Sequence, residues 1–123
     1  MIDRNLFLSP PKKHRSLPFW SWNDKLDSRE LVAQIDAFDR QGIGGFFMHS
    51  REGLETKYLG DEWADAVKTS VDAAKKRGMY SWIYDEDRWP SGAAGGRVTA
   101  LGNQNRAKAI LIHPGICPDG DGM

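Results

Sequence analysis

The alternation between short apolar segments and longer segments with helical spacing constrains the fold of this chain more than any other feature. Residues 43–48 (IGGFFM) are apolar throughout, a pattern typical of a strand in a parallel sheet that is covered on both faces. Residues 17–23 and 79–84 provide two more strand-like segments, and a helical pattern separates each from 43–48. The sequence therefore predicts an α/β fold with the order β-α-β-α-β and parallel strands.

Capping residues mark the ends of the two predicted helices. Asp27 or Ser28 can cap the first helix with a side-chain oxygen, and Gly42 suits the left-handed residue that ends it. Asp61 and Gly78 are expected to play the same two parts for the second helix. The faces expected to pack on the sheet carry Leu31, Ile35 and Phe38 in the first helix, and Trp63, Val67, Ser70, Val71 and Ala74 in the second.

Three consecutive acids follow the third predicted strand directly. Because neighbouring side chains of a strand point to opposite sides, we expect Glu86 to face away from Asp85 and Asp87. At most two of the three then share a pocket. Three roles stay open for them: binding of a substrate or of an ion such as calcium, structural pairing with Arg51, Arg88 or a backbone amide, and direct catalysis.

The other two predicted strands also end in polar side chains. In parallel sheets the functional loops lie at the C-terminal ends of the strands. Asn23 follows the first strand, whereas His49 and Arg51 follow the second. His49 is a candidate hydrogen-bond donor or proton carrier, with a purely local hydrogen bond as the alternative, and Arg51 can hold a carboxylate in a bidentate pair.

Tryptophans surround the same strand ends. Aromatic rings stack well on the apolar C–H faces of sugars, although most strand aromatics belong to a core. We expect Trp22 and Trp89 to lie nearest a ligand, and Trp20 and Trp82 to lie in the core. The combination of acids and aromatic rings makes a sugar the favoured ligand class.

Composition argues against several other partners and locations. The 123-residue chain has 17 basic and 17 acidic residues and a formal net charge of zero, so we expect neither a nucleic-acid nor a membrane partner. Residues 12–15 (KKHR) form a basic cluster that is expected to be a solvated loop. Cys117 is the only cysteine and no N-terminal signal pattern is present, which together predict a cytoplasmic protein.

Beyond residue 92 the pattern weakens. The glycine-rich residues 92–96 are expected to form a mobile loop over a pocket. Asn103 is a candidate cap for a short helix. Residues 110–112 are expected to form either a fourth strand or the end of that helix.

Four motifs together resemble one family of enzymes. They are residues 18–23 (PFWSWN), 44–54 (GGFFMHSREGL), 58–60 (YLG) and 84–92 (YDEDRWPSG). In this order they resemble the opening of the catalytic barrel in α-L-rhamnosidase-like glycoside hydrolases of the family 106 type. The resemblance covers about residues 10–108.

This resemblance implies a (β/α)8 barrel of the TIM type, with its site at the C-terminal face of the strands. It also implies hydrolysis of a terminal deoxysugar glycoside and, in some members, a calcium ion. The resemblance assigns seven residues to the first part of the sugar pocket: Trp22, Asn23, His49, Arg51, Asp85, Glu86 and Trp89. It assigns no catalytic residue, because the family's catalytic glutamates come from later strands.

Chain length limits what the resemblance predicts. A complete barrel takes roughly 250 residues, so we expect a fragment that carries three or four of the eight strands and is inactive alone. The expected divisions are an N-terminal extension (1–16), a partial barrel (17–112) and a frayed tail (113–123). An open sheet edge would favour self-association. The alternatives are a noncatalytic carbohydrate-binding or assembly module, and a small α/β hydrolase that uses Asp85, Glu86 or His49.

Overall fold

The structure is a computed structural model that describes residues 3–88 and 94–111. Its main elements are α1 (Arg4–Leu8), β1 (Phe19–Trp22), α2 (Ser28–Arg40), β2 (Gly45–Ser50), α3 (Asp61–Lys76) and β3 (Tyr80–Asp87). The three strands form one parallel sheet in the order β1-β2-β3. The predicted α/β class and the β-α-β-α-β order are therefore confirmed. In the described ranges no helix combines the length and the apolar character needed to span a bilayer.

The helix ends follow the capping residues closely. The Asp27 carboxylate accepts hydrogen bonds from the backbone amides of Arg29 and Glu30, so Asp27 is the N-cap of α2. Gly42 and Gly78 adopt the positive φ angles, 78° and 61°, that end α2 and α3. The expected cap of α3 was wrong by one position, since Gly60 is the cap.

The helices cover one face of the sheet. Trp20 and Trp22 of β1 lie on this face beside Phe46 and Met48 of β2, and all four are buried. They pack against residues of α2 and α3: Leu31, Ile35, Trp63, Ala66, Ala73 and Ala74. Val71 was expected in this core but is exposed, because the buried stripe of α3 runs through Trp63, Ala66, Ser70, Ala73 and Ala74 instead.

The opposite face of the sheet, here called the open face, carries Phe19, Phe47, His49, Trp82 and Tyr84. No helix among residues 3–88 and 94–111 covers it. Trp82 was expected in the core, but its side chain is 38% exposed because strand alternation turns it to this face. Its ring stacks on Phe47 with a centroid separation of 5.0 Å.

The N-terminal segment packs against the end of the sheet where the strands begin, opposite the strand C-termini. The Lys12 ammonium lies 2.7 Å from the Asp39 carboxylate and also donates to the Arg77 carbonyl. The Arg15 guanidinium donates to the Pro10 carbonyl at 2.7 Å. The prediction of a solvated loop was therefore wrong for Lys12 and Arg15, which bond to the helix ends and the local backbone.

Between residues 94 and 111 the chain forms only short turns. Three 3₁₀ helices lie at Ala94–Gly96, Thr99–Leu101 and Asn103–Asn105. The expected helix after Asn103 does not form, because Arg106 already has extended backbone angles. Ile110 and Leu111 are exposed and lack regular structure, so the expected fourth strand is wrong as far as Leu111. Ile112 and the predicted tail lie outside the described residues.

Candidate functional site

An irregularity in strand pairing shapes the C-terminal edge of the sheet. Met48 pairs with Ile83, but Ser50 pairs with Asp87, so four steps along β3 match two along β2. Such a bulge bends the strand and redirects its side chains. Here it brings Glu86 against His49, which lies on β2 opposite Ser21 of β1.

Glu86 and His49 form a buried pair. The Glu86 Oε1 atom lies 3.3 Å from the His49 Nε2 atom, and the side chains are 2% and 0% exposed. The rings of Phe19 and Tyr84 cover the imidazole, with centroids 4.5 and 4.9 Å from it. Phe19 and Tyr84 also meet each other edge to face at 5.3 Å. The two rings shield the imidazole from water.

Several polar atoms of this pair have no partner within the described residues. They are Nδ1 and Nε2 of His49 and Oε2 of Glu86. The Glu86 Oε1 and His49 Nε2 atoms, 3.3 Å apart, are therefore close enough for an ion pair but do not have the geometry of a hydrogen bond. Buried polar groups normally make hydrogen bonds, since leaving one unmade costs about 1–3 kcal/mol. Glu86 and His49 therefore retain capacity for a further polar group at this point.

A cavity of about 440 Å³ opens beside the pair. We call it the Glu86 cavity, and its lining is Phe19, Ser21, Arg51, Tyr84 and Glu86. Arg51 is half-buried and makes no ion pair shorter than 4 Å with any residue in the described ranges. One cavity thus presents a hydroxyl, a guanidinium, a carboxylate and two aromatic rings.

The two aspartates beside Glu86 do not join it. Asp85 is exposed, whereas Asp87 lines a different cavity of about 740 Å³ with Tyr58 and Arg97. Arg88 Nε lies 3.7 Å from Asp87 Oδ1, which is the local pairing that the sequence left open. Burial, followed by the charge of Asp87, raises the pKa of Tyr58 above its ordinary value. The expected separation of Glu86 from Asp87 is confirmed.

Trp22 was expected nearest the ligand, but the structure places it in the core. Its side chain is 2% exposed and meets Trp63 edge to face with a centroid separation of 6.3 Å. The reason is that Trp22 alternates to the helix-covered face, where Trp63 also donates to the Ser50 hydroxyl at 2.9 Å. Asn23 is exposed and lines a third cavity, next to α2. Trp89 lies outside the described residues.

The donor set of the described residues does not fit a calcium ion. Calcium takes six to eight oxygen ligands, whereas Glu86 supplies the one carboxylate of the Glu86 cavity. Within residues 3–88 and 94–111 no group of three His, Cys, Asp or Glu side chains is placed to hold a metal.

Sequence reasoning missed three lining residues, Phe19, Ser21 and Tyr84. Strand alternation could have identified Tyr84, because it puts Tyr84 and Trp82 on the same face of β3. Phe19 and Ser21 alternate with Trp20 and Trp22, so assigning one pair to the core would have assigned the other pair to the open face.

Comparison with protein-family models finds no match for the chain, and comparison with curated proteins finds none either. The resemblance to glycoside hydrolases therefore depends on the sequence motifs. Chemically, the Glu86 cavity can accept hydrogen bonds at a carboxylate, donate them from a guanidinium and stack a flat apolar surface on its rings.

Proposed function

We propose that this chain forms the first part of an α-L-rhamnosidase-like glycoside hydrolase barrel and supplies residues that bind the sugar. The observation that carries the proposal is the buried Glu86–His49 pair beside Arg51, covered by aromatic rings at the C-terminal edge of a parallel sheet. Sites of α/β barrels lie at this edge. A cytoplasmic location stays a prediction from the sequence.

The exposure of β3 supports a barrel rather than a complete small sheet. Ile83 is 49% exposed on the side of the helices, while Trp82 is exposed on the open face. Within the described residues, the middle of β3 is therefore uncovered on both sides, and no strand pairs with its outer edge. A further β/α unit next to β3 would cover Ile83 and Val71, and closure of the sheet would enclose the open face as a barrel interior.

The lining of the Glu86 cavity suits a hydroxylated ring. The apolar face of a sugar would lie on Phe19 and Tyr84, which are exposed toward the cavity. The carboxylate of Glu86, which lines the cavity, would accept a hydrogen bond from one hydroxyl. Arg51 would donate to another, because a guanidinium has only donors. A deoxysugar with one apolar edge matches this division.

The same geometry favours binding without turnover. Glycoside hydrolysis needs two carboxyl groups about 5–9.5 Å apart on either side of the scissile bond. Of the described residues, Glu86 alone brings a carboxylate to this cavity, since Asp85 is exposed and Asp87 lines another cavity. We therefore expect the purified chain to bind a rhamnoside and to leave it uncleaved.

A noncatalytic carbohydrate-binding module is the second candidate function. It is favoured because Glu86 is the one carboxylate that the described residues bring to the cavity, and binding needs no second acid. The two candidates differ in what happens when the remaining barrel strands are supplied. A glycoside hydrolase would then gain turnover, whereas a binding module would keep the same affinity and stay inactive.

Calorimetric titration with methyl α-L-rhamnoside tests the shared part of both candidates. The chain is expected to bind it with a millimolar or tighter dissociation constant, and Glu86→Gln is expected to weaken binding at least about tenfold. Asp85→Asn is the matched control, because Asp85 is exposed and outside the cavity. Equal affinity of wild type and Glu86→Gln would overturn the proposed site. Release of aryl alcohol from an aryl α-L-rhamnoside would overturn the expectation of binding alone.

A further inference from the structure

We infer that the sugar bound by the Glu86 cavity carries a carboxylate group and that Arg51 holds this group. The inference rests on the proposed sugar site and names the class of sugar that the site selects, an acidic sugar such as a uronate. Its starting observation is that the half-buried Arg51 lines the cavity, yet no acid of residues 3–88 and 94–111 pairs with it within 4 Å. A guanidinium in this situation is well suited to bind an anionic group of a ligand.

The acids nearest Arg51 have other partners among the described residues. Glu86 lines the same cavity, but its Oε1 atom lies 3.3 Å from the His49 Nε2 atom. An ion pair with His49 cancels the charge of Glu86, and a carboxylate with only 2% exposure requires such a partner. Asp87 lies 3.7 Å from Arg88 and lines a different cavity. Arg51 therefore supplies the uncompensated charge of the Glu86 cavity.

Backbone hydrogen bonds hold Arg51 in place directly after β2. Its amide donates to the Trp22 carbonyl at 2.8 Å, and its carbonyl accepts from the Leu54 amide at 3.0 Å. The first of these bonds ties the C-terminal ends of β1 and β2 together, so the Arg51 side chain starts from a fixed point beside the cavity. A fixed backbone lowers the entropy that is lost when a side chain binds a ligand.

A carboxylate suits Arg51 better than a hydroxyl does. The paired N–H groups of a guanidinium match both oxygens of a carboxylate, and such charge-assisted bonds are roughly twice as strong as neutral ones. A hydroxyl would occupy one donor and leave the positive charge uncompensated. The Arg51 and Glu86 side chains do not pair within 4 Å, so one ligand can contact both. A uronate would place a ring hydroxyl on Glu86 and its carboxylate on Arg51, with its ring against Phe19 and Tyr84.

Calorimetric titration with three glycosides that differ only in the substituent on C5 tests the inference. Methyl α-L-rhamnoside carries a methyl group there, methyl α-L-mannoside a hydroxymethyl group and methyl α-L-mannosiduronate a carboxylate. At neutral pH we expect the uronate to bind about ten- to a hundredfold more tightly than either neutral glycoside. The formal net charge of the chain is zero, so a general attraction of anions does not produce this preference.

Arg51→Gln tests whether Arg51 causes the preference. The change removes the charge but keeps an amide donor, so the uronate should lose its advantage while the affinity for the neutral glycosides stays within about threefold of wild type. Arg29→Gln is the matched control, because Arg29 is exposed on α2 and does not line the cavity. Circular dichroism checks that both variants keep their fold. A uronate preference that persists in Arg51→Gln, or that Arg29→Gln also removes, would overturn the role of Arg51.

The outcomes separate this inference from the proposed function. If the rhamnoside binds and the uronate binds no more tightly, the acidic-sugar inference is wrong and the proposed sugar site stands. If the uronate binds and the rhamnoside does not, the inference stands and the proposed rhamnoside ligand is wrong. If none of the three glycosides binds, both are wrong.

Discussion

Glu86 and His49 are 37 positions apart in the sequence, yet their side chains meet at 3.3 Å under a pair of aromatic rings. The contact exists because β3 gains two residues relative to β2 between Met48 and Ser50. Without this bulge a regular register would leave Glu86 beyond the end of β2. The pair therefore links the irregularity of the sheet to the chemistry of the cavity beside it.

A double-mutant cycle on this pair should show strong coupling. His49→Phe and Glu86→Leu are each expected to lower the free energy of unfolding by about 1–3 kcal/mol, because each leaves the remaining buried polar group without its neighbour at 3.3 Å. The double variant should recover about 0.5–3 kcal/mol of the summed loss. Urea unfolding measures all four proteins. His49→Phe combined with Asp85→Ala is the control, and the losses in the free energy of unfolding of these two variants should add. If the losses of His49→Phe and Glu86→Leu also add, the contact has no energetic role.

Gly45→Ala should disrupt the join between β2 and β3. A Cβ atom at Gly45 would overlap the backbone carbonyl of Tyr80, which cannot move without breaking the strand pairing. We expect a loss of more than about 3 kcal/mol in the free energy of unfolding. Gly78→Ala is the comparison, because its positive φ costs only about 1–2 kcal/mol and nothing lies within 4 Å. Similar losses in the two variants would contradict the close approach.

Asp27 should make stability depend on acid pH. Hydrogen bonds from the Glu30 and Arg29 amides hold the pKa of Asp27 below its ordinary value of 3.8. The ionised cap therefore stabilises the fold above pH 3.8, and this stabilisation is lost as pH falls through the folded pKa. Asp27→Asn keeps a cap that does not titrate. The difference in Tm between the two proteins should shrink on acidification, and a constant difference would refute the assignment.

Tyr58 should ionise above the ordinary tyrosine pKa of 10.0. Burial raises its pKa above 10.0, with further contributions from the charges of Asp87, Asp85 and Glu86. Its contribution to stability is fully present below pH 10.0 and is lost as pH rises through the folded pKa. Tyrosinate absorbance of wild type and Tyr58→Phe isolates this group. The buried position would be contradicted if the part of the absorbance that is lost in Tyr58→Phe titrates at or below pH 10.0 in wild type.

The sequence predicted the elements better than the orientation of their side chains. Asp27, Gly42 and Gly78 act within a few residues of themselves, so their local roles were predictable. Whether Trp22 or Phe19 faces the helices depends on where α2 and α3 pack, and no local pattern contains that information. Trp82 was wrongly expected in the core for the same reason, because the local sequence does not show which face of β3 the helices cover.

The candidate site was harder to predict for the same reason. Glu86, His49 and Arg51 were identified because they follow strands. Their grouping into one cavity depends on the bulge in β3, whereas the separation of Glu86 from Asp87 was predictable from strand alternation. A bulge is set by pairing with a distant strand, so the sequence around it gives little warning.

Two-dimensional ¹H–¹⁵N NMR during titration with L-rhamnose tests sugar binding in the Glu86 cavity most directly. The backbone signals of Ser21, Arg51 and Glu86 should shift together and saturate, because all three residues line this cavity. The same titration of Glu86→Gln should leave them in place. Shifts confined to residues outside the cavity, or saturating shifts that persist in Glu86→Gln, would contradict the proposed site.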